Sequence, residues 1–248
     1  MDFSILTIFP EIFDSFVAHG IIRRAVEAGI ISVSPMDIRD FADGKHRITD
    51  DRPYGGGAGM VMKPEPLHRA IAEARKQNPA GKTILLSPQG RPFKQSVASE
   101  FSMLDGLIFI CGRYEGVDER IYKYIDEEIS IGDYVLTGGE PAAMIIIDAV
   151  TRLLPGALGA EESAENDSFS EHLLEHAHYT RPPVFEEEAV PDILLSGNHG
   201  AIADWRLESS LVRTLLKRPD LIKAEILGSR EKKVLKQWCK YIEQLIFA

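Results

Sequence analysis

Short apolar runs alternate with amphipathic stretches along the first half of this chain, and that alternation narrows its fold more than any other feature. Residues 3–9 (FSILTIF), 29–38 (GIISVSPMDI), 82–87 (KTILLS), 106–112 (GLIFICG) and the region around YIDEEISIG read as strands. Between them, residues 11–29, 65–77 and 93–104 carry apolar residues at i, i+3 and i+4, the spacing of a helix with one buried stripe. Strand–helix alternation of this kind predicts an α/β fold, a parallel sheet flanked by helices on both faces. Residues 141–156 (PAAMIIIDAVTRLLPG) are apolar nearly all round, with proline in the first turn and Pro155-Gly156 at the end, which predicts a buried helix.

Three of the apolar runs lead into small, turn-forming segments: residues 85–93 (LLSPQGRPF), 111–120 (CGRYEGVDER) and 129–140 (ISIGDYVLTGGE). Glycine lets backbone N–H and C=O groups approach a ligand closely. Three such segments at the ends of parallel strands predict one ligand cradle.

At 248 residues, with 44% hydrophobic and 27% charged residues, the chain fits one large or two small globular domains. No apolar run approaches the ~18–20 residues needed to span a bilayer. The N-terminus carries Asp2 and no basic region, unlike a secretory signal. Cys111 and Cys239 match no metal spacing and fit a reducing compartment, so a cytoplasmic location is expected.

A net charge of −10 argues at first against a nucleic-acid partner, but the charge is unevenly placed. From Glu161 to Asp192 ten acids face one base, Arg181, whereas from Trp205 to the end ten bases face five acids. The basic end fits either phosphate binding or a solvated helix face. After Gly156 the sequence turns small and acidic without periodicity, then irregular and proline-rich, then into two amphipathic helices over 203–222 and 229–246. The expected organisation is an α/β domain over 1–160, a mobile acidic linker over 161–178 and a small helical domain over 179–248.

Several patterns invite chemistry. RPYGGGAGM (52–60) has the glycines of a phosphate loop, but no Gly-Lys-Ser/Thr follows and Met60 stands where a third Rossmann glycine belongs. It reads as a flexible loop or one that admits a large planar ligand. HLLEH (172–176) has the letters of an inverted zinc motif, yet its setting is an acidic linker with no clear third ligand, so exposed histidines are expected and no metal site is assigned. Asp167, alone, reads as a cap or a solvated charge. Arg152 sits on the otherwise apolar helix, where it either pairs with an acid such as Asp148 or reaches a ligand anion.

Taken in order, RPYGGGAGM, GRYEGVDER, SIGDYVLTGGE, DSF followed by HYTRP, and LLSGNH followed by a Trp-Arg helix resemble the bacterial tRNA (guanine-N1)-methyltransferase family, TrmD, of the SPOUT class of S-adenosylmethionine enzymes. The resemblance spans essentially the whole chain. It implies a deep trefoil knot in the α/β domain, against the usual absence of knots. It also implies that the three loops bind S-adenosylmethionine: Leu86, Ser87, Pro88, Gln89 and Gly90 from the first; Gly112, Tyr114 and Glu115 from the second; Ser130, Ile131, Gly132, Tyr134, Leu136, Gly138 and Gly139 from the third. The implied catalytic residues are Asp167, removing the N1 proton of guanine, and Arg152, stabilising charge on O6.

Glu115, His46, Tyr54, Gly57 and Gly59 are the implied contacts to the flipped guanine just 3′ of the anticodon (position 37). The anticodon stem-loop of tRNA is the implied partner, gripped by Arg213, Lys217, Arg218, Lys232 and Lys233. A homodimer sharing its active site between subunits, and a Mg²⁺ dependence for which no Asp/Glu cage is visible, complete the expectations. Two competing readings are a SPOUT methyltransferase acting on ribose or rRNA, and a non-catalytic RNA-binding protein with a vestigial cofactor fold.

Overall fold

The structure is a computed structural model, and it describes residues 1–159, 167–170 and 172–246. The chain divides into two compact units, residues 1–161 and 162–248. Of the acids assigned to the linker, Glu161, Glu162, Glu165 and Glu171 lie outside the described residues.

In the first unit, β1 (Asp2–Thr7), β2 (Ser32–Asp37), β5 (Gly81–Pro92), β6 (Gly106–Cys111) and β7 (Glu127–Ser130) form one sheet in the order β2-β1-β6-β5-β7. Every pairing in it is parallel. β3 (Asp50–Asp51) and β4 (Val61–Met62) make a separate antiparallel pair. The helices are α1 (Ile12–Val17), α2 (Gly20–Glu27), α3 (Pro64–Gln77), α4 (Gln95–Ser102) and α5 (Glu140–Thr151).

Strand side chains alternate between faces, and the two cores follow that alternation. Phe3, Ile5, Ile84, Leu86, Leu107 and Phe109 pack with residues of α1, α2, α4 and α5 on one side. Leu6, Leu85, Ile108 and Ile110 pack with Leu67, Ala70, Ile71 and Ala74 of α3 on the other. Every residue of β6 is buried, as a central parallel strand covered on both faces requires. The α5 sequence buries Ala142, Ala143, Ile146, Ile147 and Val150, although Ile145 and Asp148 face solvent.

Two elements of this unit depart from the sequence expectation. The amphipathic run 11–29 is two helices, broken where Gly20 adopts φ +62. A single straight helix cannot pass through a left-handed residue, so the run turns there and keeps both apolar stripes on the sheet. The first glycine loop lies inside β5, which continues through Gly90 to Pro92 with a register shift against β7 between Leu86 and Arg91.

The second unit holds a short hairpin, β8 (Val184–Phe185) with β9 (Glu188–Ala189), followed by α6 (Asp192–Leu195), α7 (His199–Lys217) and α8 (Ser229–Ile246). Asn198 caps α7, its Oδ1 accepting from Ala201 N at 3.2 Å, so the helix begins four residues before its expected start. No helix among the described residues is long and apolar enough to cross a membrane.

Candidate active site

β6, β5 and β7 are adjacent and parallel, so the irregular stretch of β5 after Leu86 and the segments leaving the C-terminal ends of β6 and β7 lie side by side. They enclose a cavity of about 430 Å³. This lies within the range of roughly 300–1,000 Å³ expected of a small-molecule site. Leu86, Ser87, Pro88 and Gln89 line it from the first loop, and Gly112, Tyr114 and Glu115 from the second. Ser130, Ile131, Gly132, Tyr134, Leu136, Gly138 and Gly139 line it from the third. Gly90 does not line it and lies instead against the β7 backbone at Glu128 and Ile129.

Local hydrogen bonds shape each wall. Gly132 N donates to Ser130 Oγ at 3.2 Å, and that hydroxyl donates to Gly132 O at 3.2 Å, closing the start of the third loop. Tyr134 OH donates to Ile131 O at 3.3 Å. Gly139 N donates to Gly112 O at 3.0 Å, joining the third loop to the second. A Cβ on Gly139 would lie 2.7 Å from Cys111 Cα, so only glycine permits this approach. Tyr114, at φ +61, holds a left-handed conformation on the cavity wall, the kind of strain a surrounding structure must enforce.

Beneath the cavity is a polar group that the sequence reading did not single out. Glu140 is fully buried at the first turn of α5. Its Oε1 accepts from Thr7 Oγ1 at 2.6 Å and from Arg113 Nε at 3.2 Å, and its Oε2 sits 2.8 Å from Arg113 Nη2. Arg113 also donates from Nη1 to Thr137 O at 3.3 Å and lies over the Phe9 ring, 4.6 Å from its centroid. One ion pair thus ties the end of β1 and the second and third loops together. An Arg two residues past a strand and a Glu opening an apolar helix were its only traces in sequence. Burial, then Glu140, pushes the neighbouring Cys111 thiol well above its ordinary range, so it stays protonated and inert. Tyr122, also on the wall, donates to Glu128 Oε1 at 3.1 Å. Burial, then that carboxylate, push its hydroxyl up to about 12.

The remaining predicted residues fall in four places. Gly59 and Met60 lie against the second loop: Gly59 faces the Glu115 side chain, and Glu115 N donates to Met60 O at 3.0 Å. Tyr54, Gly57 and His46 are exposed and do not line the cavity. Arg152 caps the C-terminus of α5, half-buried, its backbone N donating to Asp148 O at 3.2 Å. Asp167 belongs to the second unit, half-buried in a turn closed by Ser170 N donating to Asp167 O at 3.2 Å. There Lys217, Lys232 and Lys233 are exposed, whereas Arg218 is paired with Asp220 at 2.7 Å. His178 pairs with Glu175 at 2.8 Å, and among the described residues no three His, Cys, Asp or Glu side chains are grouped to hold a metal ion.

Chemically, the cavity suits a nucleoside-sized ligand with a positive centre. Leu86, Pro88, Ile131 and Leu136 give apolar surface for a planar base, glycine peptides give donors and acceptors at close range, and the carboxylates of Glu115 and Glu119 favour a cation. The family profile described as tRNA (Guanine-1)-methyltransferase TrmD matches residues 1–224. A tRNA (guanine-N(1)-)-methyltransferase of Desulfatibacillum aliphaticivorans is 53% identical over 247 residues, covering 99% of this chain and 94% of that protein. Namesakes from Carboxydothermus hydrogenoformans and Desulfitobacterium hafniense are 55% and 57% identical over 238 and 221 residues. They cover 96% and 89% of this chain, and 93% and 84% of their own lengths. On a match that runs through both units and every loop of the cavity, the chain belongs to the tRNA (guanine-1)-methyltransferase family TrmD.

Proposed function

We propose that this protein transfers the methyl group of S-adenosylmethionine to N1 of the guanine 3′-adjacent to the anticodon, position 37, in tRNA, with Asp167 as general base. The observation that carries this reading is the cavity itself, built by the three loops whose sequence resembles the family's cofactor segments. S-adenosylmethionine, when bound, supplies an electrophilic methyl group on a positively charged sulfur. The three loops hold it, with Glu115 and Glu119 complementing its charge.

Guanine N1 carries a proton at neutral pH and is a poor nucleophile until that proton leaves. Asp167 would take that proton and keep it as a protonated carboxyl, freeing the N1 lone pair to accept the methyl group that S-adenosylmethionine would supply. Arg152 offsets the negative charge that builds on O6 as the proton departs. Glu115, with Gly59 against it, meets the guanine edge, and His46, Tyr54 and Gly57 close over the flipped base from the adjoining loop. A single-stranded anticodon loop makes that extrusion cheap.

The knot, a cytoplasmic location and a homodimer in which one subunit's Asp167 completes the other's cavity belong to the same reading. The Mg²⁺ dependence has no site among the described residues, and no step here rests on it. Asp167→Ala tests the assignment: methyl transfer to a tRNA transcript falls by about 10²-fold or more, while S-adenosylmethionine affinity by calorimetry stays at the wild-type value. A large loss of cofactor binding in that variant contradicts the general-base role.

A further inference from the structure

The described residues on either side of position 171, 167–170 and 172–179, meet α7 and its C-cap at several points. The guanidinium of Arg218 stands 5.8 Å from the Phe169 ring centroid. Leu174 N donates to Thr214 Oγ1 at 2.9 Å, and Ala177 N donates to Ser209 Oγ at 2.9 Å. Tyr179 and His176 pack on Trp205, with centroids 6.1 and 6.5 Å apart. From Phe169 to Leu174, Ala177 and Tyr179 the segment numbers rise while their partners fall from Arg218 to Thr214, Ser209 and Trp205.

Thr214 is the centre of this arrangement. It is fully buried, and its hydroxyl donates to Ser210 O at 2.7 Å, which leaves its lone pairs to accept from Leu174. The orientation of the acceptor is therefore fixed by the helix itself. At the other end of the segment, Phe169 N donates to Leu173 O at 2.8 Å and Glu175 N to Ser168 Oγ at 3.0 Å. Phe169, at φ +74, is held left-handed by these closures. The turn bearing Asp167 is thus fastened to Leu173 and Glu175, and Leu174 between them to Thr214.

We propose that Thr214 and Ser209 are positioning residues for methyl transfer: their hydroxyls clamp the Asp167 segment onto α7, so that the base and the helix carrying Lys217 move as one body. This rests on Asp167 being the base. The clamp ties the general base to the helix that the proposed function gives to the RNA backbone, so the two are ordered together.

The test compares full-length wild type, Thr214→Val, Thr214→Ser and Ser209→Ala. Valine keeps the volume of threonine but leaves the Leu174 N–H without its acceptor. Amide exchange at Leu174 in the free protein then accelerates by about tenfold or more. Single-turnover methylation at saturating tRNA transcript and S-adenosylmethionine slows by about tenfold. The dissociation constant for S-adenosylmethionine does not move, and Thr214→Ser recovers both exchange protection and rate. Wild-type exchange and rate in Thr214→Val overturn the proposal, as does a Thr214→Ser rate as slow as that of valine. Should Thr214→Val fail to fold, Ser209→Ala carries the same test through the Ala177 amide. If wild type makes no N1-methylguanosine, the reading of Asp167 fails instead, and unprotected Leu174 and Ala177 amides in wild type still sink the clamp.

Discussion

Replacing Glu140 with Gln probes the ion pair beneath the cavity with little change of volume. The wild-type carboxylate is fully buried and takes hydrogen bonds from Thr7 and Arg113 while facing a guanidinium only 16% exposed. Glutamine fills the same space but removes the charge that offsets Arg113. Breaking a buried pair from one side costs about 3–5 kcal/mol, because the remaining ion stays desolvated and unpaired. At roughly 2–4 °C per kcal/mol for a chain of this size, the melting temperature falls by about 6–20 °C.

Function follows stability here, since Arg113 Nη1 also holds Thr137 O on the cavity wall. A guanidinium released from Glu140 no longer fixes that carbonyl, and S-adenosylmethionine affinity drops by about tenfold, close to the cost of one charge-assisted hydrogen bond. Scanning calorimetry reads the first effect and isothermal titration the second. The pair Glu140→Gln with Arg113→Met separates charge from packing: removing both ions recovers much of the melting temperature lost by the single variant. A Glu140→Gln protein melting within about 1 °C of wild type, or a double variant whose losses simply add, refutes the argument.

Gly139→Ala places a Cβ 2.7 Å from the Cys111 backbone and must push the second and third loops apart. Overpacking of this kind costs about 1–3 kcal/mol, and titration calorimetry should show S-adenosylmethionine binding weakened by about tenfold or more; unchanged binding denies that this close approach shapes the cavity. Cys239 is exposed and Cys111 is buried with its thiol held protonated, so a thiol reagent should label one cysteine in the native protein and two after denaturation. Tyr122 has its hydroxyl raised from 10.0 to about 12. The stability this contributes is fully present below pH 10 and lost as pH rises through 12. Alkaline unfolding curves should therefore show a component near pH 12 that disappears in Tyr122→Phe, and its persistence counts against the assignment.

The parts of this molecule that were legible in sequence are those where chemistry repeats. Short apolar runs and period-3.6 patterning located the five strands of the parallel sheet and most of its helices, because burial on two faces leaves a strong apolar signal in β6 and α5. The loops that line the cavity were legible because each follows an apolar run and is rich in turn-forming residues, proline in the first and glycine in the second and third. What escaped depends on contacts between distant residues. Thr7, Arg113 and Glu140 come together only once β1 and β6 pair, and nothing in the local sequence of Thr7 marks it. The break at Gly20 was hidden because apolar residues on both sides keep helical spacing through it. The placement of Leu174 and Ala177 was equally silent, since hydroxyls of Thr214 and Ser209, not periodicity, fix it.

The central claim is methylation of guanine N1 beside the anticodon. Its most direct measurement is mass spectrometry of nuclease digests of an unmodified tRNA transcript, incubated with this protein and S-adenosylmethionine, with guanine or adenine at position 37. The account predicts one N1-methylguanosine, at position 37 of the guanine transcript and absent from the adenine one. A methyl group found on a ribose 2′-hydroxyl, or at any other base, contradicts it.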